Sequence, residues 1–372
     1  MTISFSKIGG RFVSTSSRSD PNIAELQNVL TQILQERLRG IERVGGGKNS
    51  QVYHITCGEG DDAREYAVKR YFRHSADQRD RLGVEYSALR FLSANGITCV
   101  PGPIAVDDDW GLAIYEYIQG TKKGAEQVSV QDIDDAVSFL RDLDGLKNKP
   151  EAKNFTPASE AFFSIEAICN HVRVRLERLT ASNENTENYQ ALRSFLNTEI
   201  DPAFRDVMDW CKGEATKFGI GFDEDIPPEK RTLSPSDFGF HNAIWRSGRI
   251  VFLDFEYFGW DDPAKMTVDF LLHPALPMQI DDDLKTRYVR GLVAHFQRIP
   301  DLENRIRIVY PLFALKWITI ILNEFLPADL MRRQFAEQEI QDKSAVQMRQ
   351  LEKARSMLAR ILKEYRGLPY LD

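Results

Sequence analysis

The chain has 372 residues, and 48 Lys and Arg stand against 55 Asp and Glu, for a net charge of −7. At roughly 100–200 residues per domain, this length predicts two or three domains or lobes, and an apolar share of 42% supplies a core and excludes wholesale disorder. The acidic balance excludes a general binder of nucleic-acid backbone, but not of a nucleotide, whose charge a bound metal can offset.

The first residues, MTISFSKIGG, lack the charged start and apolar stretch of a signal peptide. Residues 1–20 are rich in Ser and Gly and read as loosely docked. Pro21 then opens a helix whose Ile23, Leu26, Val29, Leu30, Ile33, Leu34 and Leu38 share one face. Three strands follow at 41–44, 51–56 and 65–71, separated by Gly45-Gly46-Gly47 and by the turn GEGDD. Residues 77–94 read as a helix closed near Gly96. Two short strands come next, at 102–106 and 112–117, with the turn DDDWG between them.

Helix dominates after Gly120. Residues 129–145 carry a buried stripe of Ile133, Val137, Leu140 and Leu143. Long amphipathic helices are predicted at 158–180 and 186–217. Pro227-Pro228 leads into LSPSDFGFHN, and NAIWR and RIVFLDFE form a hairpin across Ser247-Gly248. The most apolar stretch, 309–326, is interrupted by Lys316 and contains Asn323 and Glu324, so it reads as a buried core helix and not a membrane span. The end, 335–365, is a charged helix with a narrow stripe of Leu351, Ala354, Leu358, Ile361 and Leu362.

The order predicts an α+β fold in two lobes. After an N-terminal segment, 1–40, a small antiparallel sheet with one helix forms the N-lobe, 41–118. A larger, mainly helical C-lobe, 119–372, carries a helical insert at about 146–230 and a loop and hairpin at 234–256. A cleft between lobes is a favoured ligand site. Cys57, Cys99, Cys169 and Cys211 are scattered without a CxxC pair, so neither a zinc site nor a disulfide framework is indicated. The expectation is a cytoplasmic protein without nucleic-acid or membrane partners, its oligomeric state open.

Chemistry concentrates in two places. Asp237 is followed five residues later by Asn242, and Asp254 comes twelve residues after that, at the end of the return strand. Asn242 and Asp254 are hard oxygen ligands suited to Mg²⁺ held together with phosphates, and Asp237 is then free to accept or orient a hydroxyl proton. Asp and Asn also sit in turns simply to bond backbone, so the spacing alone is weak; the following strand-turn-strand and second Asp strengthen it. Upstream, Lys69 lies in the strand EYAVKRY, and Glu85 follows sixteen residues later in a helix that also holds a competitor, Asp80. A strand lysine at nucleotide phosphates needs such an anion to fix its rotamer. GGGKNSQVYHI precedes it; three glycines suit phosphate approach, or simply a hairpin turn.

Together GGGKNSQVYHI, AVKRY, EYSALRFL, AIYEYIQG, SDFGFHN, FLDFE and GWDDPAKMTVDF resemble the aminoglycoside phosphotransferase and choline kinase group, over roughly residues 41–325. The resemblance implies a protein-kinase-like fold, ATP or GTP as phosphoryl donor, Mg²⁺, and transfer to a small-molecule hydroxyl, with an amine-bearing or sugar-like acceptor. It implies that Lys69 contacts the α- and β-phosphates with Glu85 as partner and Ser50 beside the nucleotide. Glu116, Tyr117 and Ile118 would be the hinge that pairs with the purine, Asp237 the base, and Asn242 and Asp254 the metal ligands. Asp262 is similar to a structural aspartate, and Asp269 to the helix aspartate that braces the catalytic loop through its backbone.

The sequence departs from the family pattern twice. Pro235-Ser236 stands where His-Gly is usual, and Leu143-Asp144 replaces a frequent Leu-His. Beside Asn242, His241 invites a catalytic role, or fills space; His273 reads as structural. Glu256, Asp261 and Asp262, with Trp245, Tyr257, Phe258 and Trp260, are expected to wall the acceptor and favour a cation. Two other readings are a kinase-fold protein that binds nucleotide without transfer, and a protein kinase; the latter lacks a long activation segment after Asp254.

Overall fold

A computed structural model describes residues 23–45, 49–73, 79–182, 184–327 and 342–371. The expectations placed on residues 1–22 with Pro21, on Gly46 and Gly47, on the helix start at 77–78 and on 335–341 lie outside the described residues.

Five strands build the N-lobe: β1 (Leu38–Gly45), β2 (Ser50–Cys57), β3 (Arg64–Tyr71), β4 (Pro103–Asp107) and β5 (Leu112–Glu116). They pair antiparallel in the order β1-β2-β3-β5-β4. Side chains alternate across a strand, so this sheet has two different faces. One face, Ile55, Cys57, Tyr66, Val68, Leu112 and Ile114, packs on Leu26 and Leu30 of helix α1 (Ile23–Leu34). Burying each of those leucines contributes roughly 1.5–3 kcal/mol. The other face looks into the cleft. Its register sets Val52 opposite Lys69 and Ser50 opposite Tyr71. Helix α2 (Arg81–Ala94) lies on this side, and Leu82, Ala88, Leu89 and Leu92 join it to the main core. Asp80 caps α2 by accepting from the Gly83 N–H at 2.9 Å, which starts the helix later than its apolar pattern suggests.

The C-lobe contains helices α3 (Val130–Leu146), α4 (Ile165–Ala181), α5 (Glu187–Phe195) and α6 (Asp201–Phe218). Strands β6 (Thr232–Ser234), β7 (Ala243–Arg246), β8 (Arg249–Phe252) and β9 (Gly259–Asp261) follow, then helices α7 (Pro263–Leu272), α8 (Asp282–His295), α9 (Leu302–Ile321) and α10 (Lys343–Glu364). The α9 segment is long and apolar enough to cross a membrane, yet it packs against α4, α6, α7 and α10 as the centre of the core.

Leu38, expected on the face of the first helix, opens β1 instead, and three further elements differ from their sequence expectations. Residues 158–164 are not helical: the Ala158 N–H bonds the Trp260 carbonyl at 2.8 Å, and Ser164 caps α4 only afterwards. The 186–217 helix is interrupted by a π-turn at Leu196–Ile200, just before Pro202, which has no N–H to continue the regular ladder. The β6–β9 pair, Thr232↔Asp261 to Ser234↔Gly259, is too short to show a period in sequence.

Candidate active site

The side chain of Lys69 is the hub. It points from β3 into the cleft, and its Nζ meets Glu85 Oε2 and Asp254 Oδ1, each at 2.7 Å, with Glu256 Oε2 at 3.5 Å. Burial alone would depress this ammonium, but Asp254, Glu85 and Glu256 outweigh it and hold it well above the ordinary lysine range. Of the two acids expected in this helix, Glu85 turns inward, whereas Asp80 lies before its first turn and caps it. Two further donors fix Glu85. The Tyr71 hydroxyl donates to Oε2 at 2.7 Å and is itself 2.8 Å from the Tyr115 hydroxyl, and the Phe255 N–H donates to Oε1 at 3.2 Å.

The loop after β6 presents Asp237. Asn242 donates its amide to the Asp237 carbonyl at 3.0 Å, which turns Asn242 Oδ1 outward. Its own carbonyl accepts from the Leu253 N–H at 2.8 Å, so Asn242 sits beside the Asp254 segment. The return strand ends at Phe252, and Asp254 lies two residues beyond it with φ 67°. Ser236, before Asp237, has φ 68°. Both are left-handed, a conformation that costs non-glycine residues about 1–3 kcal/mol and recurs at functional sites. Ser236 occupies the place of the usual glycine and offsets that cost with its hydroxyl: Oγ donates to the Ser159 carbonyl at 2.9 Å and accepts from Lys265 Nζ at 3.0 Å. On Asp237, burial pushes the carboxyl up, but His241 and His273 outweigh it and hold it well below the carboxylate range.

Glu85, Asp254 and Glu256 offer ligand atoms within 4.8 Å of one another. Their cationic partners are Lys69 and, 3.7 Å from Glu256, Arg81. Three carboxylates thus face two cations. Burial, then the charge of Asp254, push the Glu256 carboxyl up to about 7, and its buried Oε2 has no hydrogen-bond partner among the described residues. That donor set fits a hard divalent cation.

The remaining expected positions are distributed as follows. Ser50 is buried on the cleft face opposite Tyr71. Glu116 donates its N–H to the Gly102 carbonyl at 2.7 Å and its carboxylate accepts from Arg246 at 2.7 Å, tying the end of β5 to β7. The Tyr117 ring stacks on His54 at 3.9 Å, and Ile118 is buried.

The acidic acceptor wall is not there. Asp261 is fully buried on Lys265 at 2.7 Å, Asp262 is buried on Arg305 at 2.6 Å, and Glu256 accepts from Asn49 towards the N-lobe. Phe258 and Trp245 are core. Buried carboxylates need cations, and these have found them inside the protein. Asp269 also differs: it holds Lys316 at 2.9 Å, Trp317 at 2.9 Å and Lys265 at 3.2 Å, and reaches the loop through Lys265 and Ser236, not through loop backbone. Asp144, where histidine is usual, binds Arg298 at 2.7 Å and His295 at 3.0 Å, a structural role.

Sequence reasoning missed Asn49, which donates to Glu256 and to the Tyr257 hydroxyl and so ties the start of β2 to the residues after Asp254. It also missed Tyr71, and it gave His273 no place at Asp237. The run DFEY was the available signal for Glu256 and Tyr257.

A family model described as the phosphotransferase enzyme family matches residues 40–299. No curated protein sequence matches the chain. Among solved structures, a spectinomycin phosphotransferase in complex with ADP and spectinomycin aligns at 13% identity and TM-score 0.58, over 90% of this chain and 98% of that one. Choline kinase from Cryptosporidium parvum aligns at 12% identity and TM-score 0.58, over 94% and 98%. Choline kinase from Streptococcus pneumoniae aligns at 14% identity and TM-score 0.55, over 91% and 99%. These likenesses confirm the two-lobed kinase-like fold.

Proposed function

The chain belongs to the phosphotransferase enzyme family and is a small-molecule kinase, and on that premise we propose that it moves the γ-phosphoryl group of ATP to a hydroxyl of a sugar-like acceptor. The observation that carries this reading is the convergence on Lys69. One ammonium is shared by the α2 glutamate and by an aspartate 185 residues away, beside a loop that presents Asp237 and Asn242.

In this reading Lys69, steered by Glu85, neutralises the α- and β-phosphates. Ser50 and the glycine-rich segment cover them, and the backbone of 116–118 receives the base. Asn242 and Asp254, with Glu256 adjacent, would hold Mg²⁺, which supplies charge neutralisation on the transferring group. Asp237 accepts the hydrogen bond of the acceptor hydroxyl and takes its proton as the new P–O bond forms and the bond to ADP breaks. The proton then passes to solvent. Catalysis of this kind is positioning and electrostatics, so a weakly basic Asp237 is sufficient.

The acceptor class follows from the charges that remain. Beyond His273 lie Trp317, then Lys316, Glu160, Arg175 and His171. Glu160 meets its two cations, Arg175 and Lys316, only at 3.5 and 3.8 Å, and the neutral His171 at 3.9 Å, so it keeps hydrogen-bonding capacity for hydroxyls. Trp317 offers a flat face beside it. A polyhydroxylated, uncharged acceptor suits that set better than a free amine.

The test is ³²P transfer from labelled ATP to a panel of sugars, cyclitols, amino-alcohols and aminoglycosides, with a GTP comparison and with Asp237→Ala alongside. Transfer to polyols that is lost in Asp237→Ala is the expected result. Transfer unchanged by the substitution refutes the base. Tight Mg·ATP binding without turnover on any panel member, or on protein substrates, refutes the transfer reaction.

A further inference from the structure

The base is held from a direction that the metal loop does not explain. Asp237 Oδ1 receives His241 Nε2 at 3.2 Å and His273 Nε2 at 3.3 Å. Their rings stack at 3.7 Å with planes 11° apart. A metal ion bound by both imidazoles would have to lie in both ring planes, and stacked parallel planes do not meet at such a point. The cluster is therefore a hydrogen-bonding device. In His273 the ring nitrogen Nδ1 accepts from the Ala275 N–H at 3.2 Å, so the proton of the neutral ring sits on Nε2 and faces the carboxylate.

We infer that His273 is a positioning residue for the phosphoryl-transfer step: with His241 it pins Oδ1 of Asp237 and leaves Oδ2 as the oxygen that meets the acceptor hydroxyl. The inference rests on Asp237 being the base. Among the described residues, none hydrogen-bonds Oδ2, while Asn242 fixes the backbone carbonyl of the same residue. Two imidazoles from separate segments thus hold one carboxylate oxygen, and Asn242 holds the backbone behind it. His273 can serve because it is itself fixed. It ends α7, and its ring meets the edge of Trp317 at 4.7 Å; the indole N–H of Trp317 is bonded to Asp269 at 2.9 Å. A misplacement of about 1 Å is enough to spoil a near-attack geometry, so a clamp acts on turnover and not on nucleotide binding.

The probe is the hydrolysis of Mg·ATP, with water as acceptor, measured for the wild type, Asp237→Ala, His273→Phe, His273→Asn and His273→Gln, with Mg·ADP affinity by calorimetry as the folding control. In His273→Phe, kcat is expected to fall 10- to 100-fold while KM for ATP and Mg·ADP affinity stay within twofold. Asparagine is too short to reach Oδ1 and should behave like phenylalanine, which covers failure of the Phe variant to fold. Glutamine places an amide N–H where Nε2 stood and should restore most of kcat; a merely structural histidine would not show that rescue. Unchanged kcat in His273→Phe or His273→Asn, with Asp237→Ala inactive, overturns the clamp alone. Full hydrolysis by Asp237→Ala overturns the base and the clamp with it.

Discussion

Glu85→Gln isolates the anion that steers Lys69. The carboxylate accepts from Lys69 Nζ and the Tyr71 hydroxyl at Oε2 and from the Phe255 N–H at Oε1, so both oxygens face donors. An amide cannot match that. Placed at the first oxygen, its NH₂ opposes Lys69 and Tyr71; placed at the second, it opposes the Phe255 N–H. At least one charge-assisted bond is lost, about 1.5–3 kcal/mol, which corresponds to roughly 10- to 150-fold in kcat/KM for ATP. The loss has a second consequence. With Glu85 no longer an anion, the charged partners of Lys69 are Asp254 at 2.7 Å and Glu256 at 3.5 Å, so it competes with the metal for Asp254, and the Mg²⁺ concentration giving half-maximal activity should rise. Steady-state kinetics over ATP and Mg²⁺, with Mg·ADP-induced thermal shift as a binding control, measure both effects. A Glu85→Gln enzyme within twofold of wild type in kcat/KM, with unchanged Mg²⁺ dependence, refutes the reasoning.

Two predictions concern the scaffold. A Cβ at Gly120 would lie 2.5 Å from the Trp245 carbonyl oxygen and 2.5 Å from Ile244 Cγ2, and the Thr121–Trp245 bridge bonds, 3.0 and 2.8 Å, leave that backbone no room to retreat. Gly120→Ala should therefore cost about 1–3 kcal/mol in urea unfolding and loosen the hinge; an unchanged midpoint counts against this packing. Burial, with Arg175 and Lys316 adding and Glu160 opposing, pushes His171 down to about 4. Its folded pKa lies below its unfolded one, so its contribution is intact at pH 7.5 and is lost as pH falls from about 6.5 towards 4, by at most about 3 kcal/mol. In His171→Leu, the drop in urea midpoint between pH 7.5 and 4.5 should shrink; an equal drop in both proteins contradicts a neutral, buried His171.

The local geometry was legible because it repeats along the chain. Runs rich in β-branched and aromatic residues between glycine and acidic turns marked β2, β3 and β5, and they placed Lys69 inside β3. The apolar neighbours of Glu85 placed it on the packed side of α2, ahead of Asp80. Helix boundaries at 158–180 and 186–217 went astray where one cap or one proline overrode a continuous amphipathic pattern.

What the residues by themselves determined was the kinds of group available and their near neighbours: a strand lysine, a helix glutamate, and an aspartate and asparagine five apart. Only the tertiary structure decided who meets whom. It joined Asn49 to Glu256 across 207 residues, sent Asp261 and Asp262 inward to Lys265 and Arg305, and brought His273 to Asp237. The reason is physical. A carboxylate's identity is the same whether it binds a metal, faces a substrate or neutralises a buried lysine. Its role is set by the cation that the fold brings within 3 Å, and chain spacing does not encode that distance.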